Sequence, residues 1–314
     1  MKVLQICESY FREYGEKLLN ENFSDLLPFL CVGVCGSGSE NFGYDDEASR
    51  DHDVEAGFTI FLPSEDLVDS KKAFALERAY AKLPKEFMGL KRNILSPVGG
   101  NRLGVVRIAD FIQAKTGNAN GDLTEYDFLR IPEFYLAEAT NGKILFDNLG
   151  RMTEIRKKLA YMPKNARLKK LAGNLLIASQ SGQYNYERCL KHGESASAQL
   201  AIGQFVNAVI KIIFLLNEKY LPFYKWQFRA LRELKILPHL ADALEFLISS
   251  DNEGENASVK KAVIEDICSL ISKELQRQNI TKNTCSNLEK HAYSVNDFIS
   301  DGNLRNLNIL YAAD

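Results

Sequence analysis

The chain has 314 residues, with 39 Lys and Arg against 41 Asp and Glu, a formal net charge of −2, and 46% apolar residues. That length allows two domains, or one large one with a sizeable core, and the composition is that of an ordinary globular protein. The near-neutral balance argues against a general nucleic-acid binder, which covers many phosphates with clustered Lys and Arg.

In chain order, Leu4 to Leu19 has apolar residues at helical intervals (Leu4, Cys7, Phe11, Tyr14, Leu18) and no pattern of a secretory leader. Pro28 to Cys35 is a short apolar run between turn residues, the mark of a buried strand, with Cys31 and Cys35 on one side of it as core residues. The Gly36-Ser37-Gly38-Ser39 turn follows, then a polar, acidic loop from Asn41 to Ala48. Asp51 and Asp53 lead into the apolar run Gly57 to Leu62, which Pro63 closes. A helix is expected over 64–83, a short strand over Gly104 to Ile108, a helix over 131–140 and a strand over Lys143 to Phe146. Together these make a small mixed sheet with helices on one side.

Beyond residue 150 strand signals stop. Apolar periodicity near 3.6 predicts helices over 152–161, 166–179, 195–218, 224–234, 238–247, 258–277 and 287–300, with a polar loop over 251–256. The expected fold is α+β: a sheet-bearing domain over 1–150 followed by an all-α helical bundle over 151–314. The longest apolar stretch, Phe205 to Leu216, is interrupted by Asn207 and Lys211 and is too short to span a bilayer. Six cysteines without metal-ligand spacing predict no zinc site, and unsignalled thiols point to a reducing, cytoplasmic location.

Chemistry concentrates between Cys35 and Val54. On a strand, residues i and i+2 share a face, so Asp51 and Asp53 aim at one point. Gly36 and Gly38 let the backbone approach a ligand closely. A carboxylate pair opposite a small-residue turn with free N–H groups suits a divalent metal and a polyphosphate, a phosphoryl- or nucleotidyl-transfer site in outline. His52, between the two acids, points to the other face and packs rather than ligates. Glu40 and Arg50 either touch phosphate or tie the loop down.

Gly36-Ser37, thirteen intervening residues and then Asp51-His52-Asp53-Val54 resemble the signature of the polymerase-beta-type nucleotidyltransferase superfamily. Further segments narrow the resemblance: Gly38-Ser39-Glu40, Asp45-Asp46-Glu47, Ser49-Arg50, Gln183 to Cys189, and Phe214 to Trp226. Together they resemble the bacterial domain of unknown function 4037 family over nearly the whole chain. The resemblance implies a nucleotidyltransferase-type sheet in which Asp51 and Asp53 ligate Mg²⁺ and Gly36-Ser37 cradles the β- and γ-phosphates. It also implies a third carboxylate on a later strand, where this chain carries Arg107. Asp110 is the nearest substitute and Asp147 the next.

In the second half, Pro222 breaks a helix and sets Lys225 near the following helix start, where a positive helix end suits an anion. The resemblance implies a triphosphate contact there, with Arg229 one turn on sharing its face; the plain alternative is a snorkelling lysine beside a Trp226 core anchor. Tyr184, Asn185 and Arg188 form a polar cluster suited to the acceptor side. The basic run Arg151, Arg156, Lys157, Lys158, Lys164, Arg167, Lys169, Lys170 is either a solvated helix surface or a positive wall for triphosphate or tRNA.

The expected function is Mg²⁺-dependent transfer of an NMP group, AMP from ATP foremost, onto a hydroxyl of an acceptor, with release of pyrophosphate. The acceptor class is a small molecule first, tRNA or protein next. The alternatives are an inactive nucleotidyltransferase fold that binds nucleotide or a partner, and a toxin–antitoxin component that modifies tRNA or protein.

Overall fold

The computed structural model describes residues 1–46, 55–92 and 103–313. They form two compact units, Met1–Leu123 with Pro132–Ala160, and Thr124–Ile131 with Tyr161–Asp314. The fold is α+β, with all six strands among the described residues in the first unit.

Four strands make the principal sheet: β1 (Cys31–Val34), β2 (Thr59–Leu62), β5 (Gly104–Arg107) and β6 (Lys143–Asp147), in the order β5-β2-β1-β6. β1 runs antiparallel to β2 and β6, and β2 runs parallel to β5, so the sheet is mixed as expected. β3 (Glu86–Phe87) and β4 (Leu90–Lys91) form a separate hairpin. Its two loop residues, Met88 and Gly89, both have positive φ, the tight turn whose twist matches a hairpin.

β1 begins three residues later than expected, because Leu27–Phe29 is a 3₁₀ turn and Pro28 has no N–H for a ladder. The sheet also has helices on both faces rather than one. Val32, Val34, Ile60 and Leu62 share a core with Val3, Ile6, Cys7, Tyr10 and Phe11 of the first helix. On the opposite face Phe61 meets Phe111, with ring centroids 5.1 Å apart. Phe111 belongs to the Ile108–Thr116 helix, which follows β5 without a turn residue and was expected only as the end of a strand. Covering both faces explains why β1 and β2 read as unbroken apolar runs.

The first helix, Val3–Tyr10 continuing to Glu16–Asn22, passes through a π-helical turn at Phe11–Gly15. Gly15 makes that turn possible, since a Cβ there would meet the rings of Phe11 and Phe58. The helix expected from Ser64 starts at Ser70, where Asp69 caps it by accepting from the Lys72 N–H at 2.8 Å.

The second unit is helical. Lys164–Ala178 runs through its centre, packed against Ser195–Leu216 on one side and Leu288–Asp297 on the other. That position buries Arg167, Lys169 and Lys170, so the basic run is neither a solvated surface nor a positive wall over those residues. Lys169 Nζ donates to Asn296 Oδ1 (2.9 Å) and to the carbonyls of Arg305 (3.3 Å) and Leu307 (2.7 Å). Arg167 donates to the Leu215 carbonyl at 3.2 Å and pairs with Glu218 at 3.0 Å.

Ser195–Leu216 forms where a helix is expected over 195–218; unlike the Phe205–Leu216 stretch alone, its 22 residues are long and apolar enough to cross a membrane by length and composition, yet 67% buried over the most apolar window. Asn207 and Lys211 are absorbed by the helix, Lys211 donating to the Ala313 carbonyl at 3.2 Å. A second π-helical turn, Ser179–Asn185, follows the central helix, and Gly182 in it leaves room for the Phe205 ring.

His291 is fully buried between two acceptor–donor partners. Its Nε2 lies 2.6 Å from the Cys285 carbonyl, which only accepts, so Nε2 carries the proton and Nδ1 accepts from the Thr281 hydroxyl at 2.9 Å. Burial holds its pKa below the ordinary histidine value. The unfolded chain therefore takes up a proton first on acidification, and the stability held above about pH 6.5 declines as pH falls toward the folded pKa. The fall in Tm between pH 7.5 and 5.5 is expected to be shallower in His291→Gln than in the wild type. Equal slopes would remove His291 from the acid response.

Candidate functional site: the glycine–serine elbow

β1 ends at Val34 and turns through Gly36 (φ 108°) and Gly38 (φ 125°), backbone conformations that L side chains rarely adopt. Both positions are also crowded. A Cβ on Gly36 would come within 3.3 Å of the Phe111 ring, and one on Gly38 would strike the buried Glu40 carboxylate.

Two asparagines hold the elbow. Asn141 faces Gly36 as another peptide would: its Oδ1 accepts from the Gly36 N–H and its Nδ2 donates to the Gly36 carbonyl, each at 2.8 Å. Asn41, buried at the far side of the turn, donates from Nδ2 to the carbonyls of Gly36 (3.3 Å) and Ser37 (3.0 Å). The Gly36 N–H is therefore taken and is not one of the free donors expected of this turn. The N–H groups of Ser37 and Gly38 and the Ser37 hydroxyl have no hydrogen-bond partner among the described residues, and both residues are half-exposed.

Asn141 is itself fixed. Gly142, with φ 64° and its missing Cβ directed at the Val34 carbonyl, makes the bend into β6, and its N–H donates to the Asn41 carbonyl at 2.9 Å. Arg156 Nη2 donates to the carbonyls of Thr140 (2.7 Å) and Asn141 (2.6 Å). Cys35, at the entrance to the elbow, is buried, which pushes its thiol up to about 11 despite the nearby Arg156 and Lys115. It is a core residue, not a nucleophile.

Sequence reasoning did not single out Asn41 and Asn141. The polar loop expected from Asn41 opens inside a 3₁₀ turn, Ser39–Phe42, and Glu40, Asn41 and Asp45 are buried. Asp45 is committed to the first helix, accepting from the Val3 N–H at 3.0 Å and facing Lys2 at 3.6 Å. The one available signal for Asn141 was the Asn141-Gly142 dipeptide, a turn marker that read only as a boundary. Asn141→Ala should cost about 1–3 kcal/mol by leaving the Gly36 N–H unpaired and its carbonyl with Asn41 alone, measurable as a lowered urea midpoint. Full wild-type stability in that variant would mean the elbow does not depend on Asn141.

Asp51 and Asp53 lie outside the described residues. Gly33 pairs with Thr59 antiparallel, so β2 begins at the end of the sheet where β1 turns into the elbow. Arg107 pairs with Leu62, and its guanidinium donates to the carbonyls of Pro63 (2.8 Å) and Val68 (3.1 Å), bracing the loop that leaves β2. Asp110 is exposed on the first turn of the next helix, one residue before the Phe111 that packs against Phe61 and Gly36. Asp147 pairs with Cys31, at the end of β1 away from the elbow, and accepts from the Thr153 N–H at 2.7 Å in the first turn of the Arg151–Leu159 helix. Among the described residues, no three His, Cys, Asp or Glu side chains are grouped to hold a metal ion.

The remaining candidates belong to the second unit. Tyr184 and Arg188 pair with each other, with Arg188 Nη1 donating to the Tyr184 hydroxyl at 2.9 Å and the guanidinium 5.0 Å from its ring centroid; Asn185 is exposed beside them. Lys225 sits in the Tyr224–Trp226 3₁₀ turn and Arg229 in the Gln227–Arg232 helix, flanking Trp226 at 5.2 and 5.9 Å. Trp226 is half-buried rather than a core anchor, and Lys225 is exposed.

No curated protein matches the chain. A nucleotidyltransferase-like protein from Exiguobacterium sibiricum 255-15, known from its crystal structure, is 13% identical over 90% of this chain and 90% of its own, with a TM-score of 0.36. Residues 128–227, which include the Gln183–Cys189 and Tyr220–Trp226 segments but not the elbow, match the family model described as domain of unknown function (DUF4037).

Proposed function

We propose that the chain is a metal-dependent nucleotidyltransferase that moves an NMP group, AMP from ATP foremost, onto a hydroxyl of a small acceptor and releases pyrophosphate. The observation that carries this reading is the elbow: two N–H donors and a hydroxyl without partners among the described residues, at the end of the sheet where β2 begins, six residues after Asp53 in the sequence. Asn41 and Asn141 occupy the carbonyls of Gly36 and Ser37, which would otherwise repel phosphate oxygens. The turn is thus prepared for an anion before one arrives, with no reorganisation left to the reaction.

Asp51 and Asp53 are the residues that would hold Mg²⁺, which when bound would neutralise triphosphate charge. The described residues contribute the rest: Ser37 and Gly38 bind and orient phosphate oxygens, and the buried asparagines hold that geometry. Incubating the full chain with Mg²⁺, each α-labelled NTP and cell extract should yield a labelled product and pyrophosphate, both lost with EDTA. Absence of NTP binding would reject the reading.

A second reading, a nucleotide-binding protein without transfer, is favoured by one observation. Asp147, one of the two substitutes for the third acid, stands at the sheet end away from the elbow, and residues 93–102 contain no acid. Tight NTP binding with neither product nor pyrophosphate would select it. The toxin–antitoxin alternative rests on the basic run, of whose eight cations three, Arg167, Lys169 and Lys170, are buried.

A further inference from the structure

Between Lys219 and Lys235 the chain places five cations (Lys219, Lys225, Arg229, Arg232, Lys235) against the single acid Glu233, interleaved with five aromatic residues. In a chain of net charge −2 this is a local reversal. Asn217 closes the segment into one knuckle. Its Oδ1 accepts from the N–H groups of Lys235 (3.2 Å) and Ile236 (2.9 Å), and its Nδ2 donates to the Ile236 carbonyl at 3.0 Å. Leu221 and Pro222 are buried beneath it, and Gln227 donates to the Pro222 carbonyl at 3.3 Å.

The knuckle carries its rings outward. Tyr224 is 73% exposed and Phe223 44%, with centroids 4.5 Å apart, a large apolar area to leave in water. Lys225 and Arg229 stand over the adjoining Trp226. Arg232 is engaged by Asp242 and Glu245, whereas Lys219, Lys225 and Lys235 are exposed and have no ion-pair partner among the described residues. The cations therefore have charge to offer a polyanion, and the rings a face for a base.

We infer that this knuckle binds single-stranded nucleic acid, with a base stacked on Tyr224 and flanking phosphates on Lys225 and its neighbours. A ring exposed to 73% cannot enclose a free nucleotide, which needs a concave pocket. Open stacking surfaces with cations along the backbone path are how single strands are held without base-specific contacts. The surface lies within the second unit, and its test requires no catalysis.

The test is fluorescence anisotropy of the full chain with a labelled twelve-nucleotide mixed-sequence RNA at low and moderate salt. Wild type should bind with an affinity that falls as salt rises. Tyr224→Ala should weaken binding roughly 5- to 150-fold, the range for losing one stacked base. Lys225→Gln should weaken it less and reduce the log–log salt slope by about 0.7, one phosphate contact on a single strand. Circular dichroism checks that each variant is folded, and either variant alone suffices if the other is not. Wild-type affinity in a folded variant, equal binding of a duplex of the same sequence, or displacement by ATP at equal nucleotide concentration would overturn the inference.

Discussion

Replacing Asp51 or Asp53 by alanine should lower nucleotide transfer about a thousandfold or more. Loss of a metal ligand removes several kcal/mol of charge stabilisation, and each 1.36 kcal/mol is tenfold in rate. The melting temperature should stay near that of wild type, because the core that supports β1 and β2 is drawn from other residues. Asp51→Asn should do nearly as much damage as alanine, since an amide keeps the shape but not the charge. A double alanine variant that transfers label as fast as wild type would remove both acids from the chemistry. Such a result would leave the elbow, held by Asn41 and Asn141, as an anion site without a reaction.

The second large effect is on stability. Lys169→Ala should cost about 4 kcal/mol, from two acceptors, Asn296 Oδ1 and the Leu307 carbonyl, left without a donor at about 1–3 kcal/mol each, less what entering water recovers, and from the cavity of the lost stem; the Arg305 carbonyl keeps Asn296 Nδ2. The partners of Lys169 are an amide on the Leu288–Asp297 helix and two carbonyls in and just after the Gly302–Asn306 helix, so the loss should loosen the C-terminal helices from the central one. Burial already holds the ammonium below the usual lysine pKa. Lys169→Met, which restores most of the volume, should recover part of the loss and separate the two causes. A urea midpoint unchanged in both variants would show that the buried cation is dispensable.

Periodicity made the bundle readable. Helices over Lys164–Ala178, Ser195–Leu216 and Leu288–Asp297 lie close to where the 3.6-residue repeat put them, as does Arg151–Leu159, which belongs to the first unit and not to the bundle. The mixed sheet was readable too, from apolar runs ending in proline or glycine. Three features were hidden. The Ile108–Thr116 helix follows β5 without punctuation, so nothing local announced a change of period. Lys169 looked like surface, because charge suggests exposure and nothing in sequence announces Asn296 as a partner 127 residues away. The elbow's glycines were legible from their own chemistry, but Asn141 meets Gly36 only through the β1–β6 pairing, a contact 105 residues apart. Tertiary partners of that kind leave no trace in spacing. The same holds for Asp147, whose distance along the chain from Asp53 says nothing of which strand end it occupies.

Ser195–Leu216 carries a cost during synthesis. Among its packing partners, Gln227–Arg232 and Leu240–Ser249 lie downstream and leave the ribosome later. For that interval a 22-residue apolar rod is covered only by what precedes it, and it offers trigger-type chaperones, or another nascent copy, a greasy surface to hold. Refolding from denaturant should accordingly lose yield steeply as protein concentration rises, and a chain cut after Leu216 should precipitate.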